Sequence, residues 1–385
     1  MASRLYFSNR GCAPGRRYAY SSSTLSTPNT TATPQTHALV CLDSTTALTH
    51  AVITNRAIGA SEYQLYSLLN QLKNRITIRC YNHQNYPNVI DSIQYDSFNS
   101  LVCNKTDTVL IQRFYPINDI ILAKIKHNKK LIWIHDLPDM NIFLGNDVAK
   151  ERYYRGNMEL FKHQIVLPIL NDPRIHFIAN SNHTYNLFMT FIRNHAGVTS
   201  FARCHVIYNI LYGDEFDTTP ITKIPKRLIY ASAWQKGIET VIDVFRYILK
   251  HDSGYTLSLL SPGYDWGNFK EYATELKSEF GDRIVIMGPS TKKELANAIK
   301  EACCCLSSTF NETFGCVFAE SYYLGTPVIA DRRSGAVREI IGDEHIVDYD
   351  NNESVWLKLH RLNPHVSLNS NFLVEPNFTK WLALV

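Results

Sequence analysis

Two glutamates separated by seven residues, Glu312 and Glu320, stand in the stretch FNETFGCVFAESYYLGTPVIA over positions 310–330. It reads as a loop, a short helix opening after Phe314-Gly315, a stop at Gly325-Thr326-Pro327 and an apolar strand, Val328 to Ala330. A helix N-terminus presents unpaired backbone N–H groups and a partial positive charge, which suits a phosphate. Glu312 precedes that terminus and Glu320 lies about two turns along, roughly 12 Å further on a helix. One carboxylate can therefore accept hydroxyls at one end of a ligand and the other hydroxyls further along, with amides between them on phosphates. Two glutamates at a fixed spacing occur by chance in most chains of this length. The whole string is far more specific than the pair.

Two other positions carry chemistry. KLIWIHDL, Lys130 to Leu137, is a buried strand ending in His135-Asp136. Ligands of open α/β sheets bind at the carboxyl ends of strands, where this histidine falls. A lone histidine is more often structural; here its ring suits a hydrogen bond to a ligand hydroxyl, with Asp136 orienting it or capping the next turn. The strand Arg227 to Ala231 leads into Ser232-Ala233-Trp234-Gln235-Lys236-Gly237. Lys236 is either a solvated surface lysine or a cation for developing negative charge.

The central string resembles the donor-site signature of retaining glycosyltransferases of family 4, which have the two-domain GT-B fold. That pattern is Glu, seven residues, Glu, with Phe-Gly after the first acid and Gly-x-Pro-Val after the second. Here it is Glu312, Phe314-Gly315, Glu320 and Gly325-Thr326-Pro327-Val328. His135 lies in a stretch similar to the family's Trp-x-His-Asp, and Lys236-Gly237 resembles its Lys-Gly. Asn180-Ser181 with Thr184 resembles its Asn-Ser-x-x-Thr, read as a strand end that caps the next helix. Arg338-Glu339-Ile340-Ile341 continues the likeness. Gly59-Ala60 resembles a glycine-rich first loop that is usually Gly-Gly. The family often has an arginine five residues before the lysine, where this chain has Ala231.

The resemblance implies transfer of a sugar from a nucleoside-diphosphate sugar to a glycan, lipid or small-molecule acceptor, with retention at the anomeric carbon. Glu320 would accept ribose hydroxyls and Glu312 donor-sugar hydroxyls. Thr313, Phe314, Gly315 and Cys316 would offer amides, with Gly59 and Ser232 completing the donor contacts. Lys236 would stabilise the departing diphosphate and His135 hold the sugar. No cofactor beyond the donor is expected, and no metal, since no Asp-x-Asp ends a predicted strand; lysine and helix dipole would supply the charge. No carboxylate suggests itself as a nucleophile on the sugar's far face, so a front-face displacement is expected. Ala60 and Ala231 motivate a rival, a nucleotide-sugar-binding pseudoenzyme. Another GT-B enzyme, such as an epimerase, is the other. A nicotinamide enzyme is disfavoured, because no GxGxxG follows the first strand.

These residues need two α/β units to position them, and 385 residues suffice for two domains. From His37 the chain alternates strand and helix signals. Strands are expected at Ala38–Leu42, Ile76–Cys80, Thr108–Ile111, Leu131–Ile134, Ile175–Ala179 and His205–Tyr208. A helix opens at Ile58–Glu62, with Leu65, Leu68, Leu69 and Leu72 on one face. The second unit restarts at Arg227–Ala231 and adds Thr256–Leu260, Arg283–Met287, Cys303–Leu306 and Val328–Ala330. Short β-branched strands separated by helices predict parallel sheets covered on both faces. The expected layout is a tail over 1–36, an acceptor domain over 37–215, a nucleotide-sugar domain over 216–370 and a crossover helix over 371–385. That helix is read from Phe378-Thr379-Lys380-Trp381-Leu382.

Residues 1–36 hold Arg4, Arg10, Arg16 and Arg17, many Ser and Thr, and no acid. They read as a disordered tail or a transit peptide; the lack of amphipathic pattern favours the tail. The net charge of +4, without a basic run or basic–aromatic ribbon, gives no case for nucleic acid and leaves peripheral membrane contact open. No apolar run approaches the ~18–20 residues of a membrane span. Nine scattered cysteines make a poor disulfide framework and read as reduced, packed thiols. Asn311-Glu312-Thr313 is a glycosylation sequon inside the candidate loop, where a glycan would block the site, so a cytoplasmic location is expected.

Overall fold

Two runs of short β-branched strands build two sheets. The computed structural model describes residues 39–43, 59–82, 88–90, 92–97, 100–112, 125, 127–144, 148–211, 216–261 and 266–385. The expected tail over 1–36 lies outside them. The first sheet holds β1 (Leu39–Asp43), β2 (Ile78–Asn82), β3 (Asn88–Ile90), β4 (Ile93–Ser97), β5 (Thr108–Gln112), β6 (Lys129–Ile134), β7 (Ile175–Ala179) and β8 (Cys204–Val206). Their order is β3-β4-β2-β1-β5-β6-β7-β8, parallel throughout except for β3 against β4. All five residues of β5 are buried, as a parallel strand covered on both faces requires.

The second sheet holds β9 (Arg227–Ala231), β10 (Thr256–Ser261), β11 (Ile284–Pro289), β12 (Cys304–Ser307), β13 (Val328–Asp331) and β14 (Ile346–Val347), all parallel. Its order, β11-β10-β9-β12-β13-β14, reads 3-2-1-4-5-6 counted from β9. That is the order of a nucleotide-binding α/β sheet, whose switch point falls between the first and fourth strands, here β9 and β12. Leaving β3 aside, the first sheet repeats this order with one further strand, β8.

The helices that bear on the site are α1 (Ala60–Leu72), α2 (Asn182–Ala196), α3 (Ile238–His251), α4 (Lys292–Glu301), α5 (Cys316–Tyr323), α6 (Val337–Ile341) and α7 (Val374–Leu384). Leu65, Leu68, Leu69 and Leu72 of α1 are buried against Ile78 and Cys80 of the first sheet. Helix α7 begins four residues before the expected start of its periodic run. Its Phe378 and Trp381 pack in the same cluster as Trp133 and Ile178, so the chain's last helix returns to the first sheet.

Three strands escape the sequence reading: β3, β4 and β14. β14 has two residues, and β3 is a three-residue antiparallel edge; Ser92, just before β4, has φ +67°. The short β3 and β14 carry no periodicity to detect, whereas the β4 sequence IQYDS alternates apolar and polar residues and held a readable strand signal. The strand expected at His205–Tyr208 begins one residue earlier and ends at Val206; Ile207 stays in the first sheet's core, and the Tyr208 ring faces Phe314 and Glu339. Cys304 and Cys305 are buried in β12 as small apolar residues.

Candidate active site

Neighbouring strands β9 and β12 end side by side, and the loop after each carries candidate residues. Ser232 follows β9, and a turn over Trp234–Lys236 ends at Gly237, with φ +95°. A side chain at 237 would strain that left-handed backbone, and its Cβ would lie 2.9 Å from the Ser308 carbonyl oxygen of the β12 loop. The Ser308 hydroxyl donates to the Gly237 carbonyl, lashing the loops together. Gly237→Ala should cost at least about 1–2 kcal/mol from the left-handed φ alone. Urea denaturation of Gly237→Ala with and without Ser308→Gly checks the contact. Full recovery in the double variant would contradict it, because the carbonyl clash survives loss of the hydroxyl.

Across this junction Lys236 Nζ lies 2.9 Å and 3.2 Å from the two carboxylate oxygens of Glu312. The two candidate charges are each other's partners. The backbone of the Glu312 loop is held from the turn after β13. Asn311, at φ +49°, donates its amide to the Arg333 carbonyl at 2.8 Å, and the Ala336 amide donates to the Glu312 carbonyl at 2.9 Å. Gly335, at φ +65°, makes this approach feasible, since a Cβ there would lie 2.7 Å from the Glu312 carbonyl oxygen.

Thr313 ties this loop to the first sheet. Its hydroxyl donates to the His135 carbonyl at the end of β6, at 2.6 Å. Its carbonyl accepts the Ser181 and Thr184 hydroxyls, at 2.6 and 3.1 Å. Ser181 is also the N-cap of α2, as its motif suggested, and the clasp on Thr313 is the addition the structure makes. The His135 ring is buried and lies 4.4 Å from the Trp133 ring, centroid to centroid. The Phe314 ring sits in the core near Tyr208 and Phe372, so only its backbone can serve a ligand. Gly315, at φ +90°, is the N-cap of α5; its carbonyl accepts the Phe318 amide at 3.0 Å, which leaves the amides of Cys316 and Val317 ahead of it in the first turn. Cys316 opens that helix, and burial pushes its thiol up to about 12.

Glu320, only 2% exposed, forms an ion pair with Lys292 at the start of α4. Its Oε2 is buried without a hydrogen-bond partner among the described residues. Gly59 caps α1 in an ordinary extended conformation (φ −67°, ψ 153°), and a Cβ there would meet only the flexible Glu62 carboxylate. Nothing conformational demands glycine at 59.

Two residues outside the expected site are built into it. Lys292 opens α4 behind the Thr291–Glu294 capping box, which marks a helix start and gives no sign of a ligand site. Glu339 of α6 accepts the amides of His183 and Asn182 at 2.7 and 3.1 Å and the Tyr208 hydroxyl at 3.0 Å. Its carboxylate thus caps the N-terminus of α2, a favourable end for negative charge. Burial, reinforced by Glu339, pushes the Tyr208 phenol well above its ordinary range.

The arrangement is two parallel sheets, a switch point at β9/β12, and a lysine, two carboxylates and a helix N-terminus beside it. Glycosyl transferases group 1 is the family that matches residues 225–362, the segment containing β9–β14. Together with the fold, this match supports a group 1 glycosyltransferase. Among curated proteins none matches the chain. Among solved structures, the sucrose-phosphate synthase of Thermosynechococcus elongatus is 15% identical, with 90% of this chain and 98% of that one covered and a TM-score of 0.64. A glycosyltransferase from Rickettsia africae is 16% identical over 91% of this chain and 99% of that one, with a TM-score of 0.60. Anabaena HepE, solved in complex with UDP and glucose, is 13% identical over 84% and 89%, with a TM-score of 0.57. At these identities the likeness establishes the fold, which is α/β of the GT-B type.

The structure brings Lys236, Glu312, Thr313 and His135 into one bonded chain. It sets Glu320 and Lys292 further along α5 and α4. No helix among the described residues is long and apolar enough to cross a membrane.

Proposed function

We propose that this chain is a retaining glycosyltransferase that moves a sugar from a nucleoside-diphosphate sugar to a glycan, lipid-linked or small-molecule acceptor. The donor lies at the β9/β12 switch point of a domain spanning 216–370, the acceptor on a domain spanning 37–215, and residues 371–385 return to the latter. The observation that carries the reading is the meeting of Lys236 and Glu312 at 2.9 Å across the switch point, beside the N-terminus of α5. Glu320 Oε2, buried and unpartnered among the described residues, suits a ribose hydroxyl.

In this mechanism the bond between the anomeric carbon and the β-phosphate oxygen breaks while the acceptor oxygen bonds to the same face. The acceptor's proton passes to the departing phosphate oxygen. Lys236 and the first-turn amides of α5 stabilise the diphosphate as it gains charge. Glu312 exchanges Lys236 for the donor's sugar hydroxyls, and His135 holds the sugar from the first sheet. The reaction needs no divalent ion, and a cytoplasmic location keeps the exposed Asn311, beside Glu312, free of a glycan.

Incubation with nucleotide sugars and acceptors, followed by proton NMR of the product, tests the reading. The expected product has the donor's anomeric configuration, forms in the presence of a chelator and requires the acceptor. An inverted product would contradict retention. Free nucleotide released without acceptor would favour an epimerase, and binding without turnover a pseudoenzyme.

A further inference from the structure

Lys292 breaks a local rule. It and Lys293 occupy the first turn of α4, where the helix dipole disfavours cations. Its side chain nonetheless pairs with the almost fully buried Glu320 and lies over the Tyr63 ring at 4.5 Å from the centroid. Tyr63 is itself buried, in the cluster formed by α1 and the first sheet. Glu320 belongs to a helix packed on the second sheet. Three residues from three helices thus run in series between the sheets: ring, ammonium, carboxylate. The carboxylate oxygen at the end of the series, Oε2, has no partner among the described residues.

We propose that Tyr63 and Lys292 are positioning residues for the donor. Lys292 engages one oxygen of Glu320, leaving the other oxygen to accept a ribose hydroxyl. Tyr63 fixes Lys292 through its ring face, so donor affinity depends on the first sheet's helix as well as on the second sheet. This rests on the donor site proposed above.

The chemistry is that of a buried carboxylate, and removing one partner of a buried ion pair leaves the other charge uncompensated. Among the described residues, Lys292 from α4 pairs with Glu320, Tyr63 lies behind that lysine on α1, and Cys316 stands one turn back on α5. Glu320 itself helps to raise that thiol, after burial. Among these, Lys292 is the one fixed cation. Without it, the buried carboxylate loses its counter-ion and the contact that fixes its orientation, and it becomes a poorer acceptor.

Titration calorimetry with UDP, GDP and ADP distinguishes the possibilities. The wild type is expected to bind one of them. Lys292→Met should bind that nucleotide at least about tenfold more weakly, because the acceptor oxygen of Glu320 is no longer held in place. Lys292→Arg, which keeps the charge, should stay close to wild type. Tyr63→Leu should lose affinity, whereas Tyr63→Phe, which keeps the ring face, should retain it. Glu320→Ala separates this proposal from its premise. If the wild type binds no nucleotide, or Glu320→Ala binds as well as wild type, the donor site itself is wrong. If Glu320→Ala fails while Lys292→Met and Tyr63→Leu match wild type, the relay is wrong and the donor site stands. A Lys292→Met defect that persists in the Glu320→Ala background would make Lys292 a direct ligand contact and overturn the positioning role. Should Lys292→Met not fold, the Tyr63→Leu and Tyr63→Phe pair still decides.

Discussion

Lys236→Met should lower turnover by about 10²–10³-fold, with a much smaller change in the donor's KM, because it removes a charge that matters most as the diphosphate departs. In the ligand-free protein Lys236 is 42% exposed, and its pair with Glu312 is screened by water. Such a pair contributes at most about 1 kcal/mol, so the thermal midpoint should hardly move. Once donor fills the cleft, the same ammonium faces developing negative charge in a drier setting, where a fixed cation is worth far more. Steady-state kinetics beside a melting curve separates the two regimes. A variant with unchanged turnover and only a raised KM would show that Lys236 serves ground-state binding alone.

The second large effect is expected far from the chemistry. Trp381→Ala should cost about 3–5 kcal/mol, while Trp381→Phe should cost about 1.5 kcal/mol or less. Trp381 is fully buried under α7, edge-on to Trp133 with ring centroids 4.8 Å apart. Neither indole N–H has an acceptor among the described residues, so packing carries the contact and phenylalanine keeps much of it. Trp133 in turn packs on His135, so the alanine variant should also lose transfer activity beyond its loss of folded protein. Urea denaturation measures the first effect, and activity per folded molecule the second. A cost below about 1 kcal/mol for alanine would contradict the role given to the returning helix.

Long-range features were legible where one segment carried the whole signal. The strands Ile175–Ala179 and Arg227–Ala231 were placed to the residue, because β-branched runs bounded by polar turns are complete local statements. The glutamates and the lysine were legible as chemical types. That Glu312 and Lys236 pair is a different matter: they lie 76 positions apart, and only the adjacency of β9 and β12 brings them together. Glu339 is 157 positions from the helix it caps, and no pattern within α6 announces that. Phe314 stood among the candidate donor residues because of its motif. In the structure its ring fills the space beside Phe372, a contact made by the chain's returning end. Lys292 was not singled out in the sequence; its place in a helix first turn conflicts with the dipole, and the resolution by Glu320 and Tyr63 joins three separate segments.

The central claim is a nucleotide-sugar site at the β9/β12 switch point that depends on Glu320. A thermal-shift screen of UDP, GDP, ADP and their common sugars against wild type and Glu320→Ala tests it most directly, since a ligand that binds only the folded state raises the midpoint with the logarithm of its saturation. One nucleotide and its sugar should stabilise the wild type, and Glu320→Ala should fold but lose the shift. A folded wild type that no nucleotide stabilises, or a Glu320→Ala variant that responds equally, would contradict the account.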